Sequence, residues 1–290
     1  MIWYVALASQ MCNMTNLLIY SICMASVASG MLQAIAIEAK ENNAGLNNIF
    51  ENINKMDNIS GNTSVVDRAL FNETKEKLSI KKGLMLEGMR GRINNRVIYA
   101  MERVPRELFI PADLRMQAYD DTPLPIGYGQ TISSPDIVAK MCDLLDLQDG
   151  MNVLEVGGGS GYHAAVMASL VGPEGHIYSV ERIHGLVVRA RENLKKAGIT
   201  NVVMIEADGS LGLPEYAPYD RISVAASAPQ IPEPLKQQLK VGGKMVIPVG
   251  ATVQGLYLVI KTDENNFVIN YKMRVIFVPI IGENGFKNRS

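Results

Sequence analysis

Between Val153 and Tyr162 the chain reads Val-Leu-Glu-Val-Gly-Gly-Gly-Ser-Gly-Tyr, a short apolar run that breaks into glycines and resumes as a helix-forming segment. Val153, Leu154 and Val156 favour a strand, and Ala164, Ala165, Val166, Met167, Ala168 and Leu170 favour a helix. Gly157, Gly159 and Gly161 allow positive φ and leave the main chain bare of Cβ atoms, so a ligand can lie against the backbone. Gly175 to Glu181 reads as the next strand of a parallel unit, which puts Glu181 at a strand's carboxyl end, where open α/β sheets bind ligands. An acid about 20 residues beyond such a turn suits a grip on ribose hydroxyls. The segment therefore predicts a strand, turn and helix that hold an adenosine-containing cofactor.

Which cofactor depends on spacing. A dinucleotide turn wants G-x-G-x-x-G, whereas these glycines fall as G-x-G-x-G, with Tyr162 where the last dinucleotide glycine belongs. On the glycines alone a methyltransferase, a nicotinamide-dependent oxidoreductase and a turn that serves only packing all stay open. The pattern, with Glu155 just before it, resembles the first motif of Rossmann-like S-adenosylmethionine-dependent methyltransferases.

The surrounding pattern is that of a doubly wound, mostly parallel α/β sheet. Residues from about Thr74 to Leu114 read as helices, with Arg96, Val97, Ala100, Met101 and Val104 on one packed face before Pro105 ends the pattern. Pro135 to Leu145 reads as a helix with Ser134 as N-cap. Strands are expected at 152–156, 176–180, 202–206, 221–225, 244–248 and 255–261, the last ones forming an antiparallel edge.

Composition excludes some partners. Lys and Arg number 28 against 29 Asp and Glu, a formal charge of -1, which gives no global case for nucleic acid. The three cysteines, Cys12, Cys23 and Cys142, form no C-x-x-C pair and there are only three histidines, so no metal is expected and a reducing compartment is.

The amino-terminal region stands apart. Residues 1–37 carry no charged side chain, and Leu17 to Ala28 is strongly apolar, as in an anchor or signal sequence; Ala34-Ile-Ala36 has the form of a cleavage site. Against that reading, no basic residue precedes the run and Gln10, Asn13 and Asn16 interrupt it. An over-long gene model is the alternative, with Met56, Met85 and Met89 as later starts. Residues 38–73 read as an Asn-rich linker and 74–290 as the catalytic domain. A cytoplasmic location is expected, with membrane association or export through residues 1–37 as the alternative.

Further segments narrow the function. Pro105-Arg-Glu-Leu-Phe-Ile-Pro111, Pro123-Leu-Pro-Ile-Gly-Tyr-Gly-Gln-Thr-Ile-Ser-Ser-Pro135, Ala217-Pro-Tyr-Asp220 and Gly242-Gly-Lys-Met-Val-Ile-Pro-Val-Gly250 resemble, in order, spacing and type, the protein-L-isoaspartate O-methyltransferases. The resemblance runs from about Glu76 to about Ile281. It implies an enzyme that moves a methyl group from S-adenosylmethionine to the α-carboxyl of L-isoaspartyl residues in damaged proteins and peptides. The ester then closes to a succinimide, whose hydrolysis partly restores aspartate. The resemblance also implies roles: Ser133 as the catalytic residue, with Thr131 and Gln130 shaping its loop. It assigns Asp208 and Gly209 near the adenine, and Gln254 near cofactor or substrate. Glu155, Gly157, Gly159, Gly161 and Glu181 line the cofactor, and Ala225, Ala226 and Ser227 offer backbone to the substrate. A monomer is expected.

Two positions depart from that family's pattern: Gly158 stands where Thr is usual and His163, read as a helix-surface residue, where Gln is common. Methyl transfer to a carboxylate needs alignment more than a base, because the acceptor is already nucleophilic; the lack of a Ser-His-Asp constellation is in keeping with this. A methyltransferase with another acceptor and a non-catalytic S-adenosylmethionine-binding module remain the rivals.

Overall fold

The computed structural model describes residues 63–287, with side chains from residue 73 on. The chain divides into Met1–Leu70 and Phe71–Ser290, and the fold below is that of the second unit; of the first, only the opening residues of one helix are described. The apolar extension and most of the expected linker lie outside the described residues. No helix among the described residues is long and apolar enough to cross a membrane.

Helix α1 (Thr63–Met89) begins within the residues read as linker, and α2 (Asn95–Arg103) follows it. Asn94 caps α2 by accepting the Arg96 N–H at 2.9 Å. Val97, Ala100, Met101 and Val104 are buried as the periodicity predicts. Arg96 is not part of that face: it points outward to Gln148 and Asp149, since its cation is solvated at little cost. Two 3₁₀ turns, Arg106–Phe109 and Ala112–Gln117, lead to a small hairpin of β1 (Leu124–Gly127) and β2 (Gln130–Ile132). Helix α3 (Pro135–Leu145) follows. Ser134 occupies its N-cap position but makes no side-chain capping bond; the Asp136 N–H goes instead to Asp121 Oδ1 at 3.0 Å.

The main sheet comprises β3 (Asn152–Val156), β4 (His176–Glu181), β5 (Val202–Glu206), β6 (Tyr219–Val224), β7 (Leu239–Val249), β8 (Gln254–Lys261) and β9 (Phe267–Val275). Helices α4 (Tyr162–Val171), α5 (His184–Lys196) and the short α6 (Glu233–Gln237) connect several of them. Spatial order is β5-β4-β3-β6-β7-β8-β9, parallel through β7 and antiparallel from β7 to β9. This is the doubly wound sheet with an antiparallel edge that the sequence predicts. The strand order reverses between β3 and β6, so their carboxyl ends open a crevice where a ligand can enter.

Side chains alternate across the sheet. Val153 joins the core beneath α2 to α5, while Leu154 and Val156 join a second core on the opposite face. Glu155 therefore shares the helical side with Val153. Hairpin β1–β2 and edge strand β9 went unread in the sequence. The hairpin is too short for a period to emerge, and β9 alternates poorly because most of it is exposed.

Candidate active site

Strand β3 ends in a glycine turn tied to its neighbour: Gly157 and Gly158 both donate their N–H to the Val180 carbonyl, at 2.8 and 3.1 Å. Gly161 closes the turn as the N-cap of α4 with φ +88°. A Cβ there would meet Leu194 Cγ at 3.3 Å and Ala190 Cβ at 3.4 Å, so the glycine also lets α4 pack on α5.

Glu181 sits where β4 ends, buried, and spans the turn. Its Oε2 accepts the Gly159 N–H at 3.1 Å and its Oε1 the Ile183 N–H at 2.9 Å. Each oxygen keeps a lone pair, so the carboxylate is rigidly aimed yet able to accept from hydroxyl donors.

The turn and Glu181 form one wall of a cleft of about 640 Å³, which Thr131, Gly209, Ala225 and the 278–281 segment complete. A second cleft, of about 980 Å³, is lined by Ser133, Ser134, Arg274 and Phe277 among others. Thr131, Ala225 and Val278 line both, so the two spaces meet at these residues. Ser133 belongs to the second cleft and not to the first.

Beneath the turn lies a smaller chamber lined by Ser133, Glu155, Gly158, Ser160, Tyr162 and His163. Glu155 is fully buried and accepts the Ser179 hydroxyl hydrogen through Oε2. Its Oε1 and the Nε2 of His163 have no hydrogen-bond partner, and Oε1 stands 3.7 Å from His163 Nδ1. Burial, reinforced by the Glu181 charge and only partly opposed by Ser179, pushes the Glu155 carboxyl up to about 8. Burial alone pushes His163 down to about 4. His163 is thus a buried residue and not a surface one: α4 is covered almost all round, which the apolar run from Ala164 to Ala168 signals. At Gly158 a Cβ would fall 2.3 Å from Ser179 Oγ, so the space of the usual side chain is occupied by the serine that serves Glu155.

Several expected site residues stand outside these clefts. Asp208 is half-buried; its Oδ1 accepts from Ser210 N at 2.9 Å and Oγ at 2.7 Å, and its Oδ2 from Glu283 N at 2.8 Å. Burial raises its pKa, but these bonds outweigh it and hold the carboxyl below its usual range. Gly209 beside it does line the first cleft. Gln254 clasps the Phe277 backbone, accepting Phe277 N–H at 2.6 Å and donating to Phe277 O at 3.0 Å, with a longer bond to Ala251 O at 3.5 Å. It thereby fastens the start of the segment that walls both clefts. Ser227 donates its hydroxyl to Gly250 O at 2.6 Å. The N–H groups of Ala225, Ser227 and Ala228 are likewise used internally, on Val156, Val278 and Pro248. What the 225–228 segment presents to the clefts is the surface of Ala225 and Ala226.

Sequence reading missed the 276–281 segment, which follows β9 and has no regular period to betray it. It also missed the hairpin's anchorage: Arg189 donates to Ile126 O at 2.5 Å and its guanidinium lies 6.0 Å from the Tyr128 ring. Among the described residues no group of three or more His, Cys, Asp or Glu side chains is placed to hold a metal.

The profile of the protein-L-isoaspartate(D-aspartate) O-methyltransferase family matches residues 79–285. A protein-L-isoaspartate O-methyltransferase of Methanothrix thermoacetophila is 62% identical over 209 residues, 72% of this chain and 99% of that protein. A solved protein-L-isoaspartate O-methyltransferase superposes with a TM-score of 0.62 at 32% identity, covering 73% of this chain and 66% of that one. A structure from Plasmodium falciparum, described as a putative member in complex with S-adenosyl-L-homocysteine, superposes at 0.61 with 29% identity, over 68% and 96% of the two chains.

Proposed function

Since the chain belongs to the protein-L-isoaspartate O-methyltransferase family, we propose that its two joined clefts hold the methyl donor and the isoaspartyl acceptor respectively. The enzyme is a repair methyltransferase of damaged proteins. The observation that carries the division of labour is the meeting of the clefts at Thr131, Ala225 and Val278, with Ser133 on one side and the glycine turn on the other.

The first cleft fits S-adenosylmethionine. It lies at the carboxyl ends of β3 and β4, its turn offers bare backbone, and Glu181 is pre-aimed by two N–H groups. When bound, that molecule supplies an activated methyl group on a cationic sulfur. Gly157 and Gly159 would let it lie close to β3, and Glu181 would take the ribose hydroxyls. A relative of known structure is described with S-adenosyl-L-homocysteine, the demethylated product.

In the second cleft the Ser133 hydroxyl would donate to the substrate carboxylate and turn one oxygen toward the junction. The acceptor is ionised at neutral pH, so the protein's work is to align the groups and exclude water. Acceptors of many sequences fit a cleft whose lining includes the apolar residues Pro123, Ile137 and Val275 to Val278.

The test uses methyl-labelled S-adenosylmethionine and two peptides that differ only in an isoaspartyl or a normal aspartyl link. Label should pass to the isoaspartyl peptide alone, and Ser133→Ala should cut turnover while leaving S-adenosylhomocysteine affinity unchanged. Equal labelling of both peptides, or full activity of the variant, would refute the assignment.

A further inference from the structure

Arg106 is fully buried, and among the described residues no carboxylate lies within ion-pairing distance of its guanidinium. A buried, unpaired cation costs free energy, so its retention calls for a reason beyond packing. Its contacts supply one. Nε donates to Ala118 O at 2.7 Å and Nη2 donates to Ser133 O at 2.8 Å, while the guanidinium carbon lies over the Tyr162 ring, 4.7 Å from its centre. Tyr162 directly follows Gly161 and opens α4, the helix that the glycine turn feeds. One rigid group therefore touches the acceptor loop at Ser133 and the donor-side helix at its first residue.

From this we infer that Arg106 is a positioning residue that sets the distance between the two halves of the active site. The inference rests on the two-cleft reading above. A rigid guanidinium bonded to two carbonyls and lying over an aromatic ring holds its neighbours in fixed orientation, which a lysine ammonium on a flexible stem does not. In-line transfer is sensitive to such placement: a misplacement of about 1 Å costs on the order of 100-fold in rate. Each cleft keeps its own binding groups when Arg106 changes, so the effect should fall on turnover and not on binding. Phe109 packs against the same ring in an edge geometry, centroids 5.6 Å apart, and helps hold Tyr162 in position.

The experiment compares wild type, Arg106→Lys and Tyr162→Leu in kcat and KM for the isoaspartyl peptide, S-adenosylhomocysteine affinity by calorimetry, and melting temperature. Arg106→Lys is expected to lower kcat by about 10- to 100-fold, with KM and product affinity within about threefold of wild type. Tyr162→Leu, which leaves the Ser133 bond in place, should lower kcat in the same direction and serves if the lysine variant does not fold. A variant that melts earlier but keeps its kcat would overturn the inference, as would a parallel loss of both affinities. Failure of the wild-type enzyme to label the peptide would instead overturn the two-cleft reading.

Discussion

Replacing Glu155 by Gln should change how the stability of the ligand-free protein depends on pH. Burial holds the folded-state carboxyl at about 8, against 4.5 for an ordinary glutamate, and holds His163 at about 4 against 6.5. Between pH 6.5 and 8 the folded chain then carries a proton on Glu155 that the unfolded chain lacks, while His163 is neutral in both. Stability therefore rises as pH falls through this window, by about 1.4 kcal/mol per unit and about 2 kcal/mol in all. From pH 6.5 down to 4.5 the unfolded histidine takes up a proton as well, so the two slopes cancel; below 4.5 only the histidine acts and stability falls with pH. The Asp146 and Asp208 carboxyls, held low, and Tyr119 and Cys142, held high, titrate outside the range that matters. Glutamine preserves shape and can still accept from Ser179, but it does not titrate. Urea unfolding across about pH 5 to 8.5 should show the wild-type slope above 6.5 and its loss in Glu155→Gln, with the variant the more stable form at the alkaline end. Parallel curves for the two proteins would refute the claim that Glu155 is the proton-holding group.

Glu181→Ala should weaken S-adenosylhomocysteine binding by about 10-fold or more in calorimetry, since charged hydrogen bonds are worth roughly 1.5–3 kcal/mol; an unchanged affinity would remove Glu181 from the site. Asp208→Ala unties Ser210 and Glu283 together and should cost about 1–3 kcal/mol in denaturant unfolding, more at neutral pH than in acid, where the wild-type carboxyl is itself protonated. Gly161→Ala combines a left-handed φ of +88° with contacts at 3.3–3.4 Å against Leu194 and Ala190, and a loss of about 1–3 kcal/mol is expected from thermal or urea unfolding.

The chemistry of the buried Glu155 pair has a bearing on the site above it. Ser179, Glu155 and Ser223 face one another in register across β4, β3 and β6, directly under the crevice. Ser223 Oγ, like Glu155 Oε1 and His163 Nε2, has no partner among protein atoms. A polar row of this kind is costly in a core and makes the turn above it sensitive to substitution at any member. The neutral state of Glu155 at pH 7 follows first from burial, with the Glu181 charge adding to it.

Much of the molecule was legible in the order of its residues. The glycine turn, the acid of Glu181 and the alternation of apolar runs declared a parallel sheet with a ligand crevice, because strand and helix periods are local properties of a chain. The family segments carried Ser133 and Thr131 to the same neighbourhood as the turn. The long-range bonds of Gln254 and Asp208 were not legible. Gln254 meets Phe277, 23 residues away, and Asp208 Oδ2 meets Glu283, 75 residues away, which no local pattern encodes, whereas the bond of Asp208 Oδ1 to Ser210 is a local turn. His163 is a similar case: one polar residue in a helix reads as surface until the sheet on one side and helices on the other close over it. What sequence alone determined was the parallel strands with the helices between them and the turn's openness to backbone approach. Tertiary structure alone decided which cleft Ser133 enters, which carboxyl holds a proton and what Arg106 joins. Those depend on burial and on distances between segments remote in the chain, and only the packed sheet sets them.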